Sequence, residues 1–156
     1  MTTARSENRA GVATTILLAS MLAACGGTDE GPEAAIRNWV AQGQQAAESK
    51  DRGALLDMLS PAYADSRGNN RDDIDNMLRF YFLRQQKVAL ITRIDELMVF
   101  GDSAAEVALH VGMAGTNDNA LGFSADAYHI EMELVREGDE WLLVYARWGG
   151  LGEDIH

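Results

Sequence analysis

Residues 105–113 read AEVALHVGM, and this stretch decides the fold because apolar and polar side chains alternate along it. Such alternation is typical of a β-strand with one buried face. Residues 128–134 (YHIEMEL) repeat the pattern, and residues 141–148 follow a Gly-Asp turn. Residues 88–100 precede these segments, and their alternation of apolar and polar residues is interrupted near Asp95. A β-bulge would explain that interruption. Because short turns join these segments, we predict four sequential strands in an antiparallel sheet.

Two helical segments open the part of the chain that precedes these strands. Pro32 can occupy the first position of a helix predicted over residues 32–49, since proline is tolerated there. Asp51 can cap a second helix that carries Leu59 on its apolar face. Pro61 ends this helix, because the residue before a proline avoids the helical conformation.

A third helix is predicted over residues 71–86, directly before the strands. Asn70 can cap it, with Asp73 three residues later in the capping-box position. Three helices on one face of an antiparallel sheet make an α+β domain, which we place at residues 32–149. The predicted apolar stripe of the third helix consists of Ile74, Met77, Leu78, Tyr81 and Phe82.

The N-terminal segment has the pattern of an export signal. Residues 12–24 are apolar, but this run is shorter than the roughly 20 residues that a membrane-spanning helix needs. A run of this length suits a signal peptide, which we assign to residues 1–24. It ends in LAACG at residues 22–26, which resembles the lipobox of bacterial lipoproteins.

The lipobox resemblance implies that Cys25 carries lipid after cleavage before it. Residues 25–31 then form a flexible tether, and residues 150–156 form a C-terminal tail. Gly26 follows the cysteine, which favours anchoring to the outer membrane, facing the periplasm. An ordinary secretory signal with a chance cysteine, or a buried N-terminal helix, is the alternative.

Charge and cysteine content exclude several classes of function. The chain has a net charge of -11, and residues 1–24 contribute +1, which leaves -12 for the rest. Such a surface repels phosphate backbones, so we predict no nucleic-acid partner. The single cysteine permits no internal disulfide and no cysteine-based zinc motif.

Several short segments carry a resemblance to a known superfamily. They are Trp39, KDRG at 50–53, YADSRG at 63–68, GDEW at 138–141 and Trp148. In order and spacing, residues 33–149 resemble the nuclear-transport-factor-2-like superfamily, which includes SnoaL-like and ketosteroid-isomerase-like domains. The resemblance implies a cone-shaped curved sheet that packs on the three helices and leaves a pocket. Members include isomerases, dehydratases and binding-only domains, so the fold alone determines no activity.

Asp65 is the candidate catalytic residue. The resemblance implies a carboxylate near this point that acts as a general base, and burial against apolar walls would raise its pKa. Proton transfer of this kind also needs hydrogen-bond donors for the enolate oxygen. The resemblance places the family's hydrogen-bond donors at Gly43 and near Glu131 and Met132. Gly43 and Met132 have no side-chain donor, and Glu131 belongs to the polar face of its strand. The alternative is an aspartate in a surface turn, bonded to local backbone.

Aromatic side chains are the candidate walls of a ligand pocket, because small-ligand sites combine aromatic walls with a few polar groups. Arg79 and Arg147 flank these rings and could pair with an acidic group of a ligand. Packing in the core is the alternative role for the same rings. The predicted pocket residues are Tyr63, Arg79, Tyr81, Tyr128, Trp141 and Trp148.

Two histidines on the predicted sheet raise the question of a metal site. His110 and His129, with glutamates of the same strands, have the ligand types that zinc or iron prefers. A solvated sheet face of mixed charge is the alternative, and we prefer it. We therefore predict no metal and no cofactor.

Three functions follow from these observations. The first is a lipid-anchored domain that binds a small apolar ligand or an envelope protein without catalysis. The second is an enzyme of isomerase or dehydratase type that uses Asp65. The third is a structural envelope lipoprotein that forms a homodimer through its sheet face.

Overall fold

The computed structural model describes residues 31–116 and 123–153. The predicted signal segment, Cys25 and the last three residues of the predicted tail lie outside these ranges. None of the described helices is both long and apolar enough to cross a membrane. Three helices and five strands confirm the predicted α+β class. In chain order they are α1 (Pro32–Glu48), α2 (Arg52–Asp57), β1 (Leu59–Asp65), α3 (Arg71–Arg84), β2 (Lys87–Phe100), β3 (Ala104–Thr116), β4 (Phe123–Glu137) and β5 (Glu140–Gly150).

The five strands form one curved sheet in the order β1-β5-β4-β3-β2. Strands β2 to β5 are sequential antiparallel neighbours, as predicted. The sheet is nevertheless mixed, because β1 pairs in parallel with β5. Such a pairing needs a long connection, which α3 and the three intervening strands supply. Helices α1 and α2 lie on the inner face of the curve, and the cone shape predicted from the resemblance is confirmed.

The predicted bulge in β2 is a register shift between Ile94 and Glu96 against β3. An extra residue at this point rotates the strand, so that Leu97 and Val99 pack against the core as Ile94 does before the shift. One continuous strand thereby keeps apolar residues on the core face along its whole length.

The first two helices pack beside the sheet. Ile36 of α1 is completely buried, as its helical spacing predicts. Asp51 caps α2 by accepting a 3.0 Å hydrogen bond from the backbone N–H of Ala54. The prediction that Leu59 extends this helix is wrong, since Leu59 begins β1 and pairs with Leu143. The open edge of β5 gives this segment backbone partners that a last helical turn before a proline would lack.

The predicted capping box of α3 is present. The Asn70 side chain accepts from the Asp73 backbone N–H at 3.1 Å, and the Asp73 carboxylate accepts from the Asn70 N–H at 3.0 Å. The predicted apolar stripe is only partly inside. Ile74 packs against the core, but Met77 is exposed, and Leu83 on the same helix is 75% exposed. The reason is that α3 contacts α2 and β1 at the edge, and not the centre of the sheet.

Strand β2 is an edge strand, and α1 covers part of its free backbone. The Glu48 carboxylate accepts a 2.9 Å hydrogen bond from the Leu90 N–H, and the Gln44 amide donates to the Leu90 carbonyl at 3.0 Å. The Thr92 hydroxyl donates to the Gln44 amide oxygen at 2.7 Å. Glu48 and Gln44 thus satisfy the backbone N–H and carbonyl of Leu90, through which another strand could otherwise pair at this point of the edge.

Candidate functional site

A cavity of about 240 Å³ lies between α1, α2 and the inner face of the sheet. We call it the cone cavity. Its helical wall consists of Trp39, Val40, Gly43, Gln44, Leu55 and Met58. Its sheet wall consists of Leu59, Leu90, Thr92, Leu109, Val111, Ile130, Met132 and Leu143.

The wall of the cone cavity is almost entirely apolar. Gln44 and Thr92 are its polar side chains apart from the Trp39 indole. The Thr92 hydroxyl donates to the Gln44 amide oxygen, and the Gln44 amide nitrogen donates to the Leu90 carbonyl. Its described lining residues include no aspartate, glutamate, histidine, lysine or arginine. The cavity can therefore surround an uncharged apolar molecule, but its wall has no group that would transfer a proton at neutral pH.

Gly43 and Met132 lie in this wall, at the positions where the resemblance places hydrogen-bond donors in isomerase-like relatives. The Met58 side chain lies over Gly43, and a Cβ on Gly43 would be 3.2 Å from the Met58 Cε atom. A thioether thus occupies the space that a side chain at position 43 would enter. Neither residue can donate a hydrogen bond to an enolate oxygen.

Asp65, at the end of β1, is buried, with 4% of its surface exposed. Its carboxylate accepts from the Arg67 N–H at 2.9 Å, from the Asn69 N–H at 2.8 Å and from the Asn69 side-chain amide at 2.8 Å. The Trp148 side chain donates a further hydrogen bond. Gly68 closes this turn with a φ of +83°, a conformation that other residues adopt only with strain.

The environment of Asp65 stabilises its charged form. Burial by itself raises the pKa of a carboxyl group, but the hydrogen bonds from Asn69, Arg67 and Trp148 outweigh it, so the pKa of Asp65 is lowered. A carboxylate with a lowered pKa and four donors is a weak base. Asp65 also does not belong to the wall of the cone cavity. The geometry favours the turn alternative, and catalysis by Asp65 stays a prediction.

Tyr63 and Trp148, two of the predicted pocket aromatics, lie close to Asp65, and Tyr128 contacts Trp148. The rings of Tyr128 and Trp148 meet edge to face at 6.0 Å, and the Arg67 guanidinium lies 3.7 Å from the centre of the Trp148 ring. Burial, together with the nearby Asp65 charge, raises the pKa of Tyr63. Tyr128, Trp148 and Arg67 thus pack against one another beside the turn.

The six predicted pocket residues are not part of the cone-cavity wall described above. Burial raises the pKa of Tyr81, and the nearby Asp126 and Tyr128 raise it further. Trp141 lies in a separate groove, and Arg79 is exposed on α3. A shared pocket formed by all six therefore stays a prediction. The sequence did not predict the aliphatic wall of the cone cavity. The only pattern that marks these residues is that every second side chain of a strand points to the inner face of the sheet.

The outer sheet face carries the two histidines that were considered as metal ligands. The rings of His110 and His129 stack with centroids 4.8 Å apart, and His110 bonds to Asp95. Arg93 pairs with Asp95 at 2.7 Å, and Arg147 with Glu131. In residues 31–116 and 123–153, no group of three or more His, Cys, Asp or Glu side chains is placed to hold a metal ion. Dimer formation through this face stays a prediction.

Several solved structures share the fold. A ketosteroid isomerase-like protein from Erwinia carotovora atroseptica has a TM-score of 0.64 and 14% identity, over 78% of this chain and 98% of that one. A protein provisionally assigned as a scytalone dehydratase from Novosphingobium aromaticivorans has a TM-score of 0.68 and 11% identity, over 74% and 81%. A provisional calcium/calmodulin-dependent protein kinase II association domain from Xanthomonas campestris has a TM-score of 0.65 and 14% identity, over 76% and 87%.

At identities of 11–14%, these likenesses show the fold and not the activity. The described domain has the α+β cone fold of these solved structures, which agrees with the fold that the resemblance predicts. No protein-family model matches the chain, and no curated protein matches it.

Proposed function

We propose that this chain is an exported lipoprotein, anchored through lipid on Cys25, whose domain binds a small uncharged apolar molecule in the cone cavity without catalysis. The observation that supports this proposal is the chemistry of the cavity wall. The cavity of about 240 Å³ is lined by aliphatic, thioether and indole groups, and the polar groups of Gln44 and Thr92 are already bonded to each other. A charged ligand would lose its hydration there and meet no side chain of opposite charge among the described lining residues.

The size of the cavity limits the ligand further. Pockets for drug-sized molecules measure about 300–1,000 Å³. A cavity of about 240 Å³ therefore suits a compact molecule, such as a bicyclic hydrocarbon or the end of an acyl chain. Affinity would come from burial of apolar surface, at about 25 cal/mol per Å², minus the entropy lost on association.

Gly43→Leu tests this proposal with naphthalene as the probe. The isobutyl group would occupy the cavity beside the flexible end of Met58, so we expect the dissociation constant to rise at least about tenfold, equal to about 1.4 kcal/mol. Leucine is also the better helix former, so the helix should persist. Ala41→Leu adds similar bulk on the exposed face of α1 and should leave binding unchanged. Equal affinities for the wild type and Gly43→Leu would contradict the proposal.

An enzyme of isomerase or dehydratase type is the second candidate. The names of the isomerase-like and dehydratase-like structures support it. It requires that Asp65 give up hydrogen bonds to reach a substrate, because its carboxylate is engaged by Asn69, Arg67 and Trp148.

The two candidates differ in deuterium exchange at the α-carbon of a cyclic ketone, followed by NMR in D₂O. If the protein only binds, the exchange rate should equal the buffer rate within about twofold, because no free base lines the cone cavity. A rate at least about a hundredfold above buffer, and lost in Asp65→Asn, would establish the enzyme instead.

A further inference from the structure

A second and larger cavity lies outside the cone, between α1, α2 and the turn that joins β4 to β5. It has a volume of about 560 Å³, which is within the range of small-molecule sites. We call it the tryptophan groove, because the indoles of Trp39 and Trp141 lie in its wall together with Met58. Trp141 is 6% exposed, so its ring is fixed by the core.

The other side of the groove is acidic. Asp57 of α2, Asp139 of the turn and Glu140 of β5 all line it, and no lysine or arginine is among its described lining residues. Arg71 approaches Asp57 at 3.9 Å and Arg136 approaches Asp139 at 3.6 Å, but both aspartates are largely exposed. Ion pairs of this kind contribute little, so most of the negative charge remains available.

We propose that the tryptophan groove binds an organic cation with an apolar body. An ammonium group is attracted to carboxylates and to accessible indole rings, and of the two indoles in the groove that of Trp39 is the less buried. The apolar body would cover Met58 and the indoles, where it is removed from water. An anionic ligand would meet three carboxylates. A metal ion is a poor candidate, since the described residues hold no cluster of metal-ligating side chains.

The proposal is independent of the apolar site in the cone cavity. Trp39 and Met58 line both cavities, but Trp141 and the three carboxylates line only the groove. The two sites therefore differ in the charge of the ligand that they favour. The chain has three tryptophans, and the third, Trp148, lies beside Arg67 away from both cavities.

A matched pair of probes tests the charge requirement. Phenyltrimethylammonium and tert-butylbenzene have nearly the same shape and differ by one positive charge. We expect the cation to shift the ¹⁹F signal of Trp141 saturably in the full-length chain labelled with 5-fluorotryptophan, with an affinity at least tenfold above that of the hydrocarbon. The Trp148 signal should stay fixed. Equal affinities of the two probes, a response of Trp39 without Trp141, or no response would each overturn the proposal.

A matched pair of variants tests the acidic side. Asp139→Asn with Glu140→Gln removes two charges that line the groove, and we expect at least a fivefold loss of affinity for the cation. Asp102→Asn with Glu137→Gln removes two exposed charges from the same end of the sheet without touching the lining. This control should change affinity less than twofold. All four residues are exposed, so both variants should fold. Equal losses in both variants would mean general attraction to an acidic surface and would overturn the site.

Discussion

Asp65→Ala is expected to lower the free energy of unfolding by about 3 kcal/mol or more, because each buried donor left without an acceptor costs about 1–3 kcal/mol. The lost acceptor serves the backbone of Arg67, the backbone and side chain of Asn69, and the Trp148 side chain. A cavity left by the carboxylate would not restore these bonds. The turn that connects β1 to α3 should loosen first.

Urea denaturation followed by tryptophan fluorescence measures this loss, since Trp148 bonds to Asp65 directly. Asp102→Ala, in the exposed turn between β2 and β3, is the matched control and should stay within about 0.5 kcal/mol of the wild type. A loss below about 1 kcal/mol in Asp65→Ala would show that the carboxylate does not hold the turn.

The difference between the wild type and Asp65→Ala should also depend on pH. The pKa of Asp65 is lower in the folded chain than the unfolded value of about 3.9. Folding therefore favours the deprotonated form, and this stabilisation is complete above the unfolded pKa. It is lost as the pH falls through the folded pKa. The stability difference should thus be constant from about pH 6 to 8 and shrink below about pH 4.

Cys25→Ala is expected to abolish incorporation of labelled palmitate and leave an unprocessed precursor. Cys25 is the chain's only cysteine, so alanine removes the single sulfur that could carry a thioether-linked lipid. Each buried methylene of an acyl chain contributes about 0.8 kcal/mol to membrane binding, so the variant would lack the anchoring that two or three chains provide.

Metabolic labelling and fractionation of the producing cells measure both effects. Gly26→Ala keeps the sulfur and changes only the next residue, so it should still be labelled and found with the membrane. Labelled and normally processed Cys25→Ala would refute lipid anchoring, whatever the domain binds.

The fold could be predicted from the sequence where a pattern is local. Alternation over residues 105–113 marks β3, and Asn70 with Asp73 marks the start of α3. The prediction was wrong where a distant partner decides the conformation. Leu59 continues a helical pattern in the sequence, but it forms a strand because it pairs with the open edge of β5. The residues of β5 that pair with β1 lie more than 80 positions later in the chain.

The site was harder to predict because a cavity is a gap between elements and leaves no motif. The aromatic residues predicted a pocket wall, yet Tyr128 and Trp148 pack against each other, and Trp148 lies beside Asp65. The cone cavity exists where Gly43 and aliphatic residues such as Val111 leave space. Only the absence of donors at Gly43 and Met132 could be predicted beforehand, and it remains the sequence feature most relevant to catalysis.

The contacts of Gln44 and Glu48 with Leu90 bear on how these molecules can crowd. Tethering by lipid would confine many copies to a plane, at a local concentration far above that in solution. An unprotected 14-residue edge strand would then promote edge-to-edge pairing of the sheets of neighbouring molecules. Gln44 and Glu48 of α1 occupy the hydrogen-bonding groups of Leu90, so pairing through this part of the edge would first have to break two hydrogen bonds.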